Sequence, residues 1–169
     1  MVKGFSILTS VAVCGAALAV FSGNAETQSV DVQRLRNRGQ ATYEEKQYAD
    51  AVRAFTEVLS DALATPQDRL NLAIAQYRDG DDQVAIQTLE EAGGLLDDHP
   101  GASYLRGLIA RRTNTLEEAR STLERARDLD PTDPAIRYNL GAVYVQLGAQ
   151  DLALVEFEAV TAMGFDIAL

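Results

Sequence analysis

The chain has 169 residues, 47% of them hydrophobic and 24% charged, with 25 acidic side chains against 15 Lys and Arg and a formal net charge of −10. That composition suits one compact domain or one short repeat array and excludes an intrinsically disordered chain. The acidic balance excludes nucleic-acid binding through the surface as a whole, because neutralising phosphates takes clustered Lys and Arg.

Residues 1–25 read as a secretory signal peptide. Lys3 supplies the positive start, Gly4 to Phe21 form an apolar and small-residue run, and Gly23 and Ala25 place small residues before Glu26. The alternative is an uncleaved anchor through residues 4–21, which is at the lower limit of length for a span. Cys14 follows Val13, and apolar sequence continues beyond it, which argues against lipidation at that position. Cleavage after Ala25 leaves a chain without cysteine, so no disulfide supports the fold. Residues 26–31 read as a short linker.

From residue 32 onward the sequence repeats. Ala51, Ala85, Ala119 and Ala153 lie 34 residues apart. Four residues after each stands a large apolar side chain: Phe55, Leu89, Leu123 and Phe157. Twelve before each stands a small one: Gly39, Ala73, Gly107 and Gly141. Pro66, Pro100 and Pro134 keep the same period. The frame divides the chain into units 32–65, 66–99, 100–133 and 134–167, with 168–169 as the end.

Each proline suits the first turn of a helix, where its missing N–H is not needed, so helices are predicted to start near 66, 100 and 134. Thr65 and Asp133 are good N-caps, and Asp68 completes an acidic variant of the capping box. Turn signals follow at Asp79-Gly80-Asp81-Asp82, Thr113-Asn114-Thr115 and Leu147-Gly148-Ala149. A second amphipathic run begins after each, shown by Leu116, Ala119, Leu123, Ala126 and Leu129 in the third unit. Gly93-Gly94 loosens the end of the second unit. Small residues at the crossing columns let paired helices approach closely, while the Phe or Leu column fills the space behind.

A small residue at the eighth position, Ala at the twentieth and Phe or Leu at the twenty-fourth resembles the tetratricopeptide repeat. Tyr138-Asn139-Leu140-Gly141-Ala142-Val143-Tyr144 is the closest segment, and Asp130-Pro131 matches the family's helix-ending proline. The departures are Leu35, Arg69, Ser103 and Arg137 at the fourth position, where an aromatic is usual, and Arg38 and Arg106 in the usual Leu column. The resemblance implies an all-α fold: a right-handed superhelical solenoid of antiparallel helix hairpins, with the first helix of each unit lining a concave groove.

The same resemblance implies which side chains point into that groove. In the first unit they include Arg36, Gln40 and Tyr43, with Glu44 as the one acid. In the second they include Leu70, Asn71, Ile74, Tyr77 and Arg78. The third contributes Tyr104, Leu108, Arg111 and Arg112, and the fourth Tyr138 and Asn139. The expected concave face is therefore aromatic, partly apolar and mildly basic, and Tyr and Arg concentrate at binding hot spots. The second helices, with Glu57, Glu90, Glu91, Glu117, Glu118, Glu124, Glu156 and Glu158, are expected to form an acidic convex surface. One subtype of the family grips a C-terminal carboxylate with Lys, Asn and Arg. Gly101 and Leu105 stand where its later Lys and Arg belong, so that subtype is rejected.

No catalytic constellation is present in the sequence. His99, the one histidine, lies in Asp97-Asp98-His99-Pro100 and reads as a polar turn before a helix rather than a metal ligand set. No glycine-rich phosphate loop, paired catalytic carboxylates or activated nucleophile is found. The chain is expected to be no enzyme, with no cofactor, no metal, no small-molecule substrate and no nucleic-acid partner.

The last helix carries more apolar faces than one neighbour can cover, and Leu154, Phe157, Val160 and Met163 are expected to form an oligomer or cap surface. A longer array, a homodimer through that helix, or a capping partner would each explain it. The function expected is an exported protein–protein interaction scaffold, in the bacterial periplasm, that holds a peptide segment or protein partner and assists an envelope complex such as a secretion, pilus or cell-wall machine. The alternative is a structural subunit that oligomerises through the last helix and uses no ligand groove.

Overall fold

The computed structural model describes residues 30–164. The expected signal segment and most of the expected linker lie outside the described residues. Eight α-helices and one short 3₁₀ turn make up the described residues, and no strand occurs among them. Helix α1 runs through residues 30–44. It is followed by α2 (Tyr48–Leu59), α3 (Pro66–Asp79), α4 (Asp82–Glu90), the 3₁₀ turn Gly93–Leu96, α5 (Pro100–Arg112), α6 (Leu116–Leu129), α7 (Pro134–Gln146) and α8 (Gln150–Ala162). Residues 30 and 31 are already helical, inside the stretch expected to be linker. Buried Val32 and the Asp31–Arg34 pair one turn on explain this early start.

Local chemistry sets the helix ends. Pro66, Pro100 and Pro134 each open a helix, and the residue before each caps it. The Thr65 hydroxyl accepts from the Asp68 amide at 3.3 Å while the Thr65 amide donates to the Asp68 carboxylate at 2.8 Å, which completes the box. Asp133 accepts from the Ala135 amide at 2.7 Å, and His99 Nδ1 accepts from the Gly101 amide at 3.1 Å. His99 therefore serves as a helix cap.

Within each hairpin the turn needs one residue in the left-handed region. Lys46, Gly80, Asn114 and Gly148 occupy it, with φ of 61°, 102°, 61° and 76°. Glycine and asparagine suit that conformation, and lysine does not. The Gly93-Gly94 break leaves α4 at 9 residues and turns the chain through Gly93–Leu96 before the third hairpin.

The close helix crossings follow from the small and large columns. A Cβ on Gly39 would stand 2.7 Å from the Phe55 ring, one on Gly107 2.5 Å from Leu123, and one on Gly141 2.6 Å from the Phe157 ring. The core is consequently a row of clusters. Ala51, Phe55, Leu72 and Ala75 join the first and second hairpins. Leu70, Leu89, Leu96, Leu105 and Ile109 join the second and third. Leu123, Leu140, Val143 and Tyr144 join the third and fourth. Each hairpin buries its apolar face on its neighbours, as in a solenoid.

One residue expected on the acidic convex face lies inside instead. Glu156 is 4% exposed, and its two carboxylate oxygens accept from Arg127 at 2.9 Å and Arg137 at 2.8 Å. Burial opposes the charge on Arg127, but hydrogen bonds to Glu156 and Asp128 outweigh it and hold its pKa above the usual arginine value. This triad ties α6, α7 and α8 together. Beside it the Tyr144 hydroxyl donates to Glu124 at 2.8 Å; burial and that carboxylate push the phenol up to about 12.

Candidate functional site

The first helices of all four hairpins meet around one cavity of about 430 Å³. Helix α1 contributes Tyr43; α3 contributes Ile74, Tyr77 and Arg78. Helix α5 contributes Gly101, Tyr104, Leu105 and Leu108, and α7 contributes Asn139. The spacing on each helix explains the shared face: Ile74 precedes Tyr77 and Arg78 by about one turn, and Gly101, Tyr104, Leu105 and Leu108 follow a similar stripe. A cavity of this size falls within the range of roughly 300–1,000 Å³ usual for ligand pockets. Its walls combine apolar surface with phenol, amide and guanidinium groups.

The polar groups are held by contacts between successive hairpins. Arg78 Nε donates to the Tyr43 hydroxyl at 3.1 Å, a separation of 35 residues. Arg112 donates to the Tyr77 carbonyl at 3.0 Å, again 35 residues away, and its guanidinium stacks over the Tyr77 ring at 4.0 Å. Asn139 Nδ2 donates to the Tyr104 hydroxyl at 2.9 Å, a third contact of 35 residues. Three groove tyrosines are thus each fixed by the hairpin that follows. Burial, with Asp133 adding to it, raises the Tyr104 pKa above that of a free tyrosine, while Arg111 and Arg78 pull the other way. The phenol remains protonated at neutral pH.

The structure brings Tyr43, Ile74, Tyr77, Arg78, Tyr104, Leu108 and Asn139 together around the cavity. It places several other expected residues differently. Leu70 is 2% exposed and belongs to the core, because Gly101 lets the next hairpin close over its side chain. Arg36 forms two hydrogen bonds with Asp68, at 2.8 and 2.7 Å, and a third with the Leu63 carbonyl. Arg112 is paired with Asp82 as well as with Tyr77. Both arginines brace one hairpin on another, so they add little positive charge to the groove. Gln40 donates to Glu44 and Asn71 accepts from Gln67, each one turn away on its own helix. Tyr138 is exposed and packs on Phe157, outside the cavity. The Arg111 side chain has neither a hydrogen-bond nor an ion-pair partner among the described residues.

On Asp68, burial disfavours the carboxylate, but hydrogen bonds from Arg36 and Thr65 outweigh it and hold its pKa below the usual range. Gly101 and Leu105, which stand where the clamp's cations would be, line the cavity. Their signal was present as an absence: short or apolar side chains leave open the space that long cations would fill.

The expected surface on the last helix is also rearranged. Val160 is 3% exposed, and Phe157 lies over Gly141, so both face the hairpin interior. Leu154 and Met163 are exposed, and Leu152 and Val155 join them at 52% and 59%.

Comparison with known proteins follows the same lines. A family model described as "Tetratricopeptide repeat" matches residues 36–100, and one described as "TPR repeat" matches residues 107–148. No curated protein matches the sequence significantly. Among solved structures, "MamA 41-end from Desulfovibrio magneticus RS-1" aligns with a TM-score of 0.68 at 22% identity, over 79% of this chain and 75% of that one. YrrB, described as a TPR protein with an unusual peptide-binding site, aligns with a TM-score of 0.63 at 20% identity, over 93% of this chain and 81% of that one. The first TPR of Spaghetti (RPAP3), bound to the HSP90 peptide SRMEEVD, aligns with a TM-score of 0.63 at 23% identity, over 69% and 93%. These likenesses establish the helical solenoid fold.

Proposed function

The chain belongs to the tetratricopeptide-repeat family, and we propose that it is a non-catalytic scaffold that holds an extended segment of a partner protein in its concave groove. The observation that carries this reading is the cavity shared by the first helices of four hairpins, with its tyrosines held in place beforehand. Side chains already ordered lose little freedom on binding, which favours affinity. The peptide-binding site named for YrrB and the peptide bound to RPAP3 show that the fold admits such use. Selection from a displayed peptide library tests it. Binders should compete with one another and lose affinity on Tyr77→Ala and on Leu108→Asp. Binders indifferent to both substitutions sink the groove reading.

A second reading has its own observation. Leu152 and Val155, one turn apart on α8, are more than half exposed, and such a patch favours association of chains through the last helix. Light scattering over a concentration series tests it, and a strict monomer at high concentration counts it out. The site of action belongs to the proposal too. With residues 1–25 as a cleaved signal, the scaffold works in the periplasm, in assembly of an envelope complex. Mass spectrometry of the exported protein should find Glu26 at the N-terminus, and intact residues 4–21 would instead support an anchored form.

A further inference from the structure

Two of the three contacts that span 35 residues form a row with one gap. Tyr43 is joined to Arg78 and Tyr77 to Arg112. The next members of this row are residues 111 and 146, and they are Arg and Gln. Where two junctions pair an aromatic with a guanidinium, the third has an arginine and a glutamine at the equivalent positions, and no hydrogen bond joins their side chains among the described residues.

Arg111 is half-buried and has five N–H donors without a protein acceptor among the described residues. It shares a helix face with two cavity residues, lying one turn beyond Leu108 and two beyond Tyr104. At about 1.5 Å per residue it stands roughly 10 Å along the α5 axis from Tyr104. Arg78, on the cavity wall, also has no carboxylate partner among the described residues; its contact is the Tyr43 hydroxyl. Arg36 and Arg112, by contrast, are paired with Asp68 and Asp82. In a chain of net charge −10 the groove therefore keeps two guanidinium groups without carboxylate partners among the described residues, beside an apolar floor of Ile74, Leu105 and Leu108.

We propose that Arg111 anchors a carboxylate of the bound partner. The occupant is an extended protein segment in which an apolar side chain fills the cavity and a neighbouring aspartate or glutamate reaches Arg111. This rests on the groove being the binding site. A charge-assisted hydrogen bond exceeds a neutral one by enough to give roughly tenfold or more in affinity.

The test presents the full chain to short synthetic peptides in which Leu or Phe alternates with Asp and Glu, with Asn and Gln, with Lys, or with phosphoserine. The acidic set should bind roughly tenfold more tightly than its amide counterpart. Arg111→Gln should erase that preference while leaving binding of the amide set unchanged, and Arg111→Lys should restore part of it. Equal binding of acids and amides, a preference that survives Arg111→Gln, or selective binding of the phosphoserine set overturns the carboxylate anchor and leaves the groove reading standing. Binding by no set, or binding unaffected by Ile74→Asp and Leu108→Asp, overturns both.

Discussion

Gly107→Ala adds one methyl group where α5 and α6 cross. The new Cβ would stand 2.5 Å from Leu123 Cγ, 2.8 Å from its Cδ2 and 3.1 Å from the Thr122 hydroxyl. Carbon atoms rest about 3.5–4.0 Å apart, so the nearest contact must lengthen by roughly 1 Å. Leu123 is fully buried, and the atom struck is its branch carbon, so the helices themselves have to part. Overpacking of this kind costs about 1–3 kcal/mol or more. Removing glycine from a helix returns about 1 kcal/mol. We expect a net loss of about 1–2 kcal/mol.

Gly101→Ala, on the same helix, is the control. Its nearest neighbours are the His99 ring and Leu70 Cδ2 at 3.2–3.3 Å, the far ends of side chains that yield by a few tenths of an ångström. That substitution should be neutral or stabilising by up to about 1 kcal/mol. Urea unfolding distinguishes them as opposite shifts in the midpoint at constant slope. Combining Gly107→Ala with Leu123→Ala should cost less than the two separately, because the second change removes the atoms the first one strikes. If Gly107→Ala proves as stable as Gly101→Ala, the reasoning from close approach is wrong.

Asp68→Asn should cost about 2–3 kcal/mol at neutral pH, less than a fully buried pair because Arg36 keeps some solvent contact. The Asp68 carboxyl titrates lower folded than unfolded, so its stabilisation is present above about pH 4 and fades as pH falls through the folded value. The gap between variant and parent should therefore close in acid; a gap constant down to pH 2 argues against the ion pair. Glu156→Ala leaves Arg127 and Arg137 without their shared carboxylate and should cost about 3 kcal/mol, read as a lower thermal midpoint. A loss within ~0.5 kcal/mol would place that triad with weak surface pairs. Lys46→Gly should raise stability by up to about 1 kcal/mol by relieving a positive φ, and an unchanged or lower urea midpoint would refute this.

Much of the fold was legible because its determinants repeat. The prolines at 66, 100 and 134 mark helix starts, and three of the four left-handed turn positions carry Gly or Asn. Lys46, the fourth, gives no such signal and is seen only in the backbone. Leu70, Tyr104 and Tyr138 share one position in the 34-residue frame, yet they are buried, half-buried and exposed respectively. What the neighbouring hairpin places over each decides that outcome. Glu156 reads as a surface acid on a second helix until α6 and α7 bring two arginines to it. The row of contacts 35 residues apart escaped a comparison of equivalent positions, because it joins different positions and unlike side chains.

By itself the sequence determined the hairpin period, the helix caps and the pairing of small with large residues. Each of these is a short-range property of one unit, or of one unit against the next, and it recurs with the repeat. Tertiary structure alone decided which arginines are occupied and which residues enclose the cavity. A guanidinium can reach several acceptors along its flexible stem, and only the stacking of one hairpin on the next selects among them. That stacking gives Asp68 to Arg36 and Asp82 to Arg112, and it leaves Arg111 without an acceptor among the described residues.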